Sequence, residues 1–223
     1  MSSVNQPPAS QWLSKQETKE SPFVTLAKTI HTISPEAEDY ANQNSFPHRL
    51  RKGELLVTSG EVCSAIYYVK RGILRGYVKE SVKDITTWIT GEHELVSSIS
   101  SFDLQIPAVE NIQAIEDCDL IGLTYENMEF LYSHFPEVNI VGRKILQKYY
   151  RDAEERAFIA RLTEATSKYK RFIATKSDML NRVPLKFVAS YLGMTLETLS
   201  RIRSKLSRGN SAPTTNGNGG LSN

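Results

Sequence analysis

Residues 185–204 constrain the fold of this chain more than any other segment. The pattern predicts two short amphipathic helices that meet at Gly193. Glycine adopts the left-handed backbone of a tight turn without steric cost, and the small side chain of Ala189 lets the two helices approach each other. The segment therefore predicts a helix-turn-helix, although an ordinary helical hairpin would satisfy the same spacing. The apolar residues that recur at the spacing expected for one buried face of each helix are Val188, Leu192, Leu199 and Ile202.

Charge is distributed unevenly along the chain, although the net charge is only +2. Residues 143–208 carry 16 basic against 6 acidic side chains, whereas residues 1–142 carry 11 basic against 19 acidic ones. A basic block that contains a helix-turn-helix favours contact with a polyanion. Such a motif places its second helix in the major groove of DNA. A solvated basic face without a nucleic-acid partner is the alternative interpretation.

Composition excludes several classes of protein. The chain has 223 residues, of which 40% are apolar, enough for a sizeable core in one large domain or two ordinary ones. It has no run of about 18 apolar residues, so we expect no membrane helix. Residues 1–21 lack the apolar core of a secretory signal. Cys63 and Cys118 are too few for a disulfide framework and suit a reducing cytoplasm. We expect the polar segments 1–21 and 209–223 to be disordered.

The first half of the chain has the composition and the turn spacing of a β-rich domain. Short segments rich in β-branched and aromatic residues alternate with turns at Gly53, Gly60 and Gly72. Many short strands at this spacing favour an antiparallel jelly roll. We predict strands over residues 54–58, 65–70, 73–79, 85–90, 111–116 and 120–124.

Helical patterns flank the predicted roll on both sides. Ser34 followed by Pro35 predicts a helix start before the roll. After the roll, the sequence predicts a short helix over residues 126–133 and a long one over residues 137–161, about 37 Å in length. The apolar stripe of the long helix could pack on the roll or pair with the same helix of a second copy, and its small alanines favour pairing. We predict a dimerisation stripe of Val138, Val141, Ile145, Tyr149, Ala153 and Ala157.

The order of these segments resembles the Crp–Fnr superfamily of bacterial transcription regulators. The resemblance implies an α+β chain with a sensor jelly roll over residues 22–135, a dimerisation helix over 136–161 and a winged-type helix-turn-helix domain over 162–208. Any strand of the wing would have to come from around Val183 and Pro184. The resemblance rests on Lys52-Gly53-Glu54, the Gly60-Glu61 turn, Ala65-Ile66-Tyr67-Tyr68-Val69 before Gly72, Val188-Ala189-Ser190-Tyr191-Leu192-Gly193 and Glu197-Thr198-Leu199-Ser200-Arg201-Ile202-Arg203.

Three side chains of the second helix are candidates for reading bases: Glu197, Ser200 and Arg201. A carboxylate can accept a hydrogen bond from cytosine N4, and an arginine can bind guanine O6 and N7 in a fork. The three residues also resemble the base-reading set of the Fnr branch, whereas Leu196 stands where the catabolite-activator branch has an arginine. A salt bridge between Glu197 and Arg201 is a compatible alternative role. The candidates for phosphate contacts are Arg182, Lys186, Arg203, Lys205 and Arg208.

The predicted roll lacks the groups that hold a cyclic nucleotide in the family. Members that bind cyclic AMP use a Gly-Glu-Leu turn for the ribose and an Arg-Ser pair for the phosphate. Aligned without gaps, this chain has Ser98 at the Glu position and Ala108 and Val109 at the Arg-Ser positions, and residues 94–110 contain no Lys or Arg. A buried phosphate needs a cationic partner, so we expect no cyclic AMP. Two cysteines cannot ligate an iron–sulfur cluster, and four scattered histidines predict no metal site, so we expect no cofactor.

These expectations combine into one function. We predict a cytoplasmic, homodimeric, sequence-specific DNA-binding transcription regulator that binds a palindromic operator, with RNA polymerase as a further candidate partner. We expect no membrane association and no enzymatic activity, and any small-molecule effector is unidentified. One alternative is a ligand-binding signalling module whose C-terminus contacts protein rather than DNA, which the basic block disfavours. Another is a cupin-like metalloenzyme, which the scattered histidines disfavour.

Overall fold

The computed structural model describes residues 20–209. The predictions of disorder for residues 1–19 and 210–223 therefore concern segments outside the described residues. Glu20, Ser21 and Gly209 were included in the segments predicted to be disordered but belong to the described residues, which corrects those boundaries. The Ser21 hydroxyl caps the first helix by accepting a hydrogen bond from the amide of Phe23 at 3.4 Å, and Ser21 is buried.

Two helices precede the roll, namely α1 (Pro22–Ile30) and α2 (Pro35–Asn44). The helix start predicted at Ser34 is confirmed, because its hydroxyl accepts a hydrogen bond from the amide of Ala37 at 3.4 Å. The same hydroxyl donates to Oε1 of Glu137 at 2.6 Å. Because Glu137 lies in the first turn of the long helix, this contact ties the N-terminal helices to it.

The roll consists of two four-stranded antiparallel sheets. One sheet has the strand order β1-β8-β3-β6 and the other has the order β2-β7-β4-β5. All the predicted strands are present, and the turn glycines Gly53, Gly60 and Gly72 have positive φ angles. The α+β fold class with a jelly roll is therefore confirmed. The strands are β1 (Phe46–Leu50), β2 (Leu55–Val57), β3 (Ala65–Arg71), β4 (Leu74–Glu80), β5 (Lys83–Thr90), β6 (Leu95–Val96), β7 (Asn111–Ala114) and β8 (Cys118–Thr124).

Two strands and one helix of the roll were not predicted. β1 contains Pro47, which has no amide hydrogen and is tolerated mainly at sheet edges, and β1 is indeed an edge strand paired only with β8. β6 has two residues, too few to show an alternating pattern. The helix α3 (Ile99–Leu104) lies between the strands predicted over 85–90 and 111–116, where no element was predicted, and its N-cap Ser98 makes no side-chain capping bond.

The remainder of the described chain is helical. No strand occurs within residues 162–209, so the wing that the resemblance implies has no counterpart in this described range. Val183 and Pro184, where a strand was considered, form a connection instead. The elements are α4 (Tyr125–His134), α5 (Pro136–Arg161), α6 (Ala165–Thr175), a single 3-10 turn (Ser177–Met179), α7 (Leu185–Tyr191) and α8 (Leu196–Gly209).

The N-terminal half of α5 packs on its own chain, which corrects four residues of the predicted dimerisation stripe. Val141 is buried in a core with the N-terminal helices, and Val138 and Ile145 pack against that core. The Tyr149 hydroxyl accepts a hydrogen bond from the amide of Leu95 at 2.7 Å. Burial of the ring and the nearby Glu94 carboxylate raise the pKa of Tyr149, so this hydroxyl stays protonated. These four side chains are intramolecular contacts in this structure.

From Leu146 onward, α5 has a different, exposed stripe. Ala153 and Ala157 of the predicted stripe are exposed. Leu146 and Tyr150 are also exposed, at 62% and 74%. The spacings from residue 146 to 150, 153 and 157 are those of one helix face. The stripe therefore shifts to a neighbouring face along the helix, and the predicted set mixed residues of both faces.

Candidate nucleic-acid interface

The turn between α7 and α8 is built as the sequence predicts. Gly193 has a φ of +63°. The amide of Met194 donates to the carbonyl of Ala189 at 3.0 Å, and the amide of Gly193 donates to that of Ser190 at 3.1 Å. This pair of bonds is the Schellman motif, which ends a helix at a left-handed residue. The motif fixes the direction in which α8 leaves the turn.

The start of α8 is capped by Thr195. Its hydroxyl accepts a hydrogen bond from the amide of Thr198 at 3.2 Å, which satisfies one of the free amides at the helix start. A hydrogen bond from Thr195, aided to a smaller degree by the charge of Arg201, lowers the pKa of Glu197. Glu197 is therefore ionised at neutral pH and can act only as a hydrogen-bond acceptor.

One exposed face of α8 carries the three predicted base-reading residues. Glu197, Ser200 and Arg201 are exposed, whereas Leu199 is fully buried and Ile202 is 9% exposed. We call these three exposed residues the recognition face. An open groove of about 460 Å³ runs along the same helix and is lined by Ser200, Arg201, Ser204, Lys205 and Arg208.

The structure separates the five predicted phosphate contacts into two groups. Lys186, Lys205 and Arg208 are exposed, and Arg203 is half-buried on α8. Arg182 instead forms ion pairs with Glu92 and Glu116 of the roll. Its guanidinium is already engaged by two carboxylates, so Arg182 is withdrawn as a phosphate contact in this conformation. Sequence spacing could not predict this, because the partners lie 90 and 66 residues away.

Lys168 of α6 contacts the helix-turn-helix and was not predicted from the sequence. Its Nζ donates to the carbonyl of Leu192, the last residue before the Gly193 turn, at 3.3 Å. A cation at a helix C-terminus stabilises the free carbonyls and the helix dipole. Only the fold brings Lys168 to that turn, so no local signal in the sequence indicated it.

The roll contains a cavity that merges with the groove beside α5, about 1820 Å³ in all. Glu110 lines it and accepts a hydrogen bond from Nε1 of Trp88 at 2.9 Å. Burial raises the pKa of the Glu110 carboxyl, against the opposing effects of hydrogen bonds from Trp88 and Ser98 and the charge of Arg156. Arg156 comes from α5 and was not anticipated as a cavity residue.

The three positions aligned with nucleotide-binding groups offer no cationic side chain. Ser98 and Ala108 are buried, and Val109 is 79% exposed. The acidic Glu110 follows directly after them. This segment therefore supplies no counter-charge to an anionic ligand, and Arg156, a cation that lines the cavity, comes from α5.

Residues 20–209 contain neither a metal-binding cluster nor a membrane-spanning helix. In this range no group of three or more His, Cys, Asp or Glu side chains is arranged to hold a metal ion. No helix of the same range is long and apolar enough to cross a membrane. Burial raises the pKa of the Cys118 thiol to about 12 and raises that of Cys63 as well, so both thiols are protonated and buried.

Comparison with known proteins agrees with this architecture. Residues 47–135 match the family model for the cyclic nucleotide-binding domain. The chain is 27% identical over 168 residues to the transcriptional activator protein FnrA of Stutzerimonas stutzeri, a match that covers 69% of this chain and 67% of the relative. It is 24% identical over 173 residues to the transcriptional regulatory protein btr of Bordetella pertussis, covering 72% and 70%.

A solved structure has the same fold. FixK2 from Bradyrhizobium japonicum superposes with a TM-score of 0.65 at 17% identity, covering 77% of this chain and 88% of that one. A jelly roll that matches the cyclic nucleotide-binding domain is followed in this chain by a long helix and a helix-turn-helix. The chain is therefore similar to curated transcription regulators over 69% and 72% of its length and shares its fold with a solved structure. Both findings agree with the resemblance of its sequence to the Crp–Fnr superfamily.

Proposed function

We propose that the chain is a sequence-specific DNA-binding transcription regulator that acts as a homodimer in the cytoplasm. The observation that carries the proposal is the recognition face: Glu197, Ser200 and Arg201 are exposed together on a capped helix in the basic half of the chain. The names of the curated relatives, a transcriptional activator and a transcriptional regulatory protein, support the same function.

The chemistry of the recognition face fits the edges of base pairs in the major groove. The Glu197 carboxylate can accept from cytosine N4, and the Arg201 guanidinium can donate both of its parallel N–H groups to guanine O6 and N7. The two residues are one helical turn apart, so they address neighbouring base pairs. The exposed Lys186, Lys205 and Arg208, with Arg203, would contact phosphates and fix the register of the helix on the duplex.

Homodimer formation through α5 is supported by its exposed apolar stripe. Leu146, Tyr150, Ala153 and Ala157 lie on one face and leave apolar surface in contact with water. Burial of that surface against a second copy would stabilise a dimer by the hydrophobic effect. A twofold dimer presents two recognition helices, which must lie about 34 Å apart to enter successive major grooves of a palindrome.

Regulation would act through the arrangement of the two protomers. The roll cavity has a half-buried carboxyl at Glu110, and the segment aligned with the nucleotide-binding groups supplies no cation to it, so we expect an effector other than a cyclic nucleotide, or no effector. An effector can change DNA binding only by binding one arrangement better than another. RNA polymerase is the protein partner expected of such a regulator, and the proposal includes no enzymatic activity.

Selection from a pool of random duplexes tests the DNA-binding proposal. We expect enrichment of a motif with twofold symmetry and half-sites about one DNA turn apart. The control is Arg201→Ala under the same conditions, which should enrich a motif with relaxed preference at one symmetric pair of positions. Failure of the wild-type protein to enrich any sequence would favour the alternative in which the C-terminus contacts protein.

Sedimentation of a stripe variant tests the dimer independently. Leu146→Glu places a charge on the exposed stripe and should convert the dimer to a monomer at the same concentration. Gln147→Glu is the matched control, since it adds the same charge at the neighbouring exposed position. A monomeric wild-type protein, or equal behaviour of the two variants, would contradict dimerisation through this face.

A further inference from the structure

The helix-turn-helix domain sits on the free edge of one sheet of the roll. β5 is the last strand of its sheet, with only β4 beside it. On its outer side, the amide of Thr86 donates to Oγ of Ser190 at 2.9 Å. The same Oγ donates to the carbonyl of Asp84 at 3.1 Å. Ser190 of α7 thus occupies the hydrogen-bonding position of a neighbouring strand.

A second contact joins α7 to a buried arginine of the roll. The Arg75 side chain is 3% exposed and donates to Gln113, Thr86 and Asp84. Its guanidinium lies 3.9 Å from the ring centroid of Phe187. A desolvated guanidinium over an aromatic face is a favourable cation–π pair. Phe187 therefore covers one face of this buried charge, and the Tyr77 ring lies 4.1 Å from it.

A third contact is the ion-pair cluster around Arg182. Its Nη1 and Nη2 donate to the two carboxylate oxygens of Glu92 at 3.0 and 2.6 Å, and Nη2 is also paired with Glu116. Glu92 accepts a further hydrogen bond from the amide of Gly72 at 2.8 Å. A two-pronged arginine–carboxylate pair has a defined geometry, so it orients the two domains as well as attracting them.

Apolar packing lies beneath these polar contacts. Met179, Val183 and Val188 of the C-terminal domain share one buried core with Ile73 and other residues of the roll. The same core contains Ile159 of α5 and Phe172 of α6, and an ion pair of Arg171 with Glu155 joins these two helices at the surface. Apolar packing therefore ties the helix-turn-helix domain to both the roll and α5.

The docked arrangement leaves the recognition face open. Glu197 and Arg201 are exposed while Phe187 and Ser190 face the roll, and Lys186 of the same helix α7 is exposed. Docking on β5 consequently does not block access to DNA. It fixes the orientation of α8 relative to the roll.

We propose that Arg182, Phe187 and Ser190 are positioning residues that hold the helix-turn-helix on the β5 edge of the roll, so that the roll sets the spacing of the two recognition helices in the dimer. This inference rests on the proposed function. It implies that a change of spacing requires each protomer to rotate as one body, or this contact to open. It also gives Arg182 a role other than the phosphate contact predicted from its charge.

Operators with altered spacers test the positioning role. The combined variant Arg182→Gln/Ser190→Ala should bind a duplex with one half-site as the wild type does. Its preference for the optimal spacer over spacers one base pair longer or shorter should fall by about tenfold, which corresponds to about 1.4 kcal/mol. The variant Arg182→Lys/Ser190→Ala keeps the charge at position 182 and should restore part of the spacer preference. Arg171→Gln is the matched control, because it removes the arginine of the α5–α6 pair.

The outcomes separate the alternatives. Weaker half-site binding by Arg182→Gln, together with a salt slope reduced by about 1, would identify a phosphate contact and overturn the proposal. Unchanged spacer preference in the combined variant would overturn it as well. If the wild type binds no duplex, the proposed function fails. Hydrogen exchange then still tests the contact: the Thr86 amide should be protected in the wild type and exposed to exchange in Ser190→Ala, and equal rates would refute docking.

Discussion

The recognition face of α8 and the cavity of the roll use polar side chains in opposite ways. On α8, Glu197 and Arg201 project into solvent from a helix whose other side is buried. In the roll, the Glu110 carboxyl is turned inward and bound by the indole of Trp88. The first arrangement leaves donors and acceptors available for a partner, and the second satisfies them within the chain.

This difference indicates where binding specificity resides. A base edge can replace water on the recognition face without breaking any core contact. A ligand in the roll that needed the Glu110 carboxyl would have to compete with Trp88 and nearby hydroxyls. An unsatisfied buried carboxyl is costly, so such a ligand must supply its own donor. The exposed polar groups of α8 are therefore available to a partner, whereas the Glu110 carboxyl of the roll is already bonded within the chain.

The largest effect on stability is expected from removing the hydrogen bond between Trp88 and Glu110 in the roll. Trp88→Ala removes a half-buried ring that lies over Gly76 and leaves Glu110 without its indole donor. We expect a loss of about 3 kcal/mol in the free energy of unfolding, the low end for such truncations. Denaturant unfolding measures it, with Trp88→Phe as the control that keeps a ring but not the hydrogen bond. Equal stability of Trp88→Ala and wild type would show that the pair does not close the cavity.

The recognition face should respond in binding rather than in stability. Arg201→Ala removes an exposed side chain, so the free energy of unfolding should stay within about 0.5 kcal/mol of the wild type. Binding to the selected operator should weaken by about 2 kcal/mol, while binding to unrelated duplexes changes little. Titrations on both duplexes measure this. An equal loss on all sequences would show that Arg201 contacts phosphate instead of a base.

Substitution of Gly193 tests the turn that orients the recognition face. An alanine Cβ at this position meets only Lys168 Nζ at 3.8 Å, so the cost is conformational rather than steric. We expect Gly193→Ala to destabilise the fold by about 1–2 kcal/mol, the cost of a left-handed alanine. Gly193→Asn should cost less, since asparagine tolerates that region better. Identical unfolding curves for both variants and wild type would argue against the left-handed turn.

The smallest effect concerns Glu92 at the contact between the two halves. Hydrogen bonding to Arg182 lowers its pKa from the ordinary 4.5 to about 2. A lowered carboxyl pKa contributes stability that is present above pH 4.5 and is lost as the pH falls toward 2. Carboxyl titration by NMR should show this midpoint in the wild type and one closer to 4.5 in Arg182→Gln. A Glu92 midpoint near 4.5 in the wild type would show that the ion pair is absent in solution.

Much of the fold was predictable because it rests on local rules. Ser34 and Pro35 marked a helix start, and Gly193 marked the turn of the motif, since caps and left-handed turns depend on residues within a few positions. The exposed placement of Glu197, Ser200 and Arg201 followed from helical periodicity in the same way. Strand β1 was not predicted, because Pro47 disfavours a strand unless the strand is known to lie at the edge of a sheet.

The errors arose where distant segments decide the outcome. Val141 and Tyr149 belong to a helical stripe, but periodicity does not say whether the roll or a second copy covers it. Arg182 looked like a phosphate contact because it lies in a basic block, and only the folded chain brings Glu92 and Glu116 to it. Trp88 and Glu110 are 22 residues apart, and nothing in their spacing indicates that they meet inside the roll.

The salt dependence of duplex binding by the wild-type protein tests the central claim most directly. The protein should be titrated with its selected palindrome and with a scrambled duplex at several salt concentrations. Binding to the palindrome should be tighter than binding to the scrambled duplex at every concentration. The logarithm of the binding constant should fall linearly with the logarithm of the salt concentration, with a slope of about −0.9 for each phosphate contacted. Absence of binding, or binding that does not change with salt, would contradict recognition of DNA by this chain.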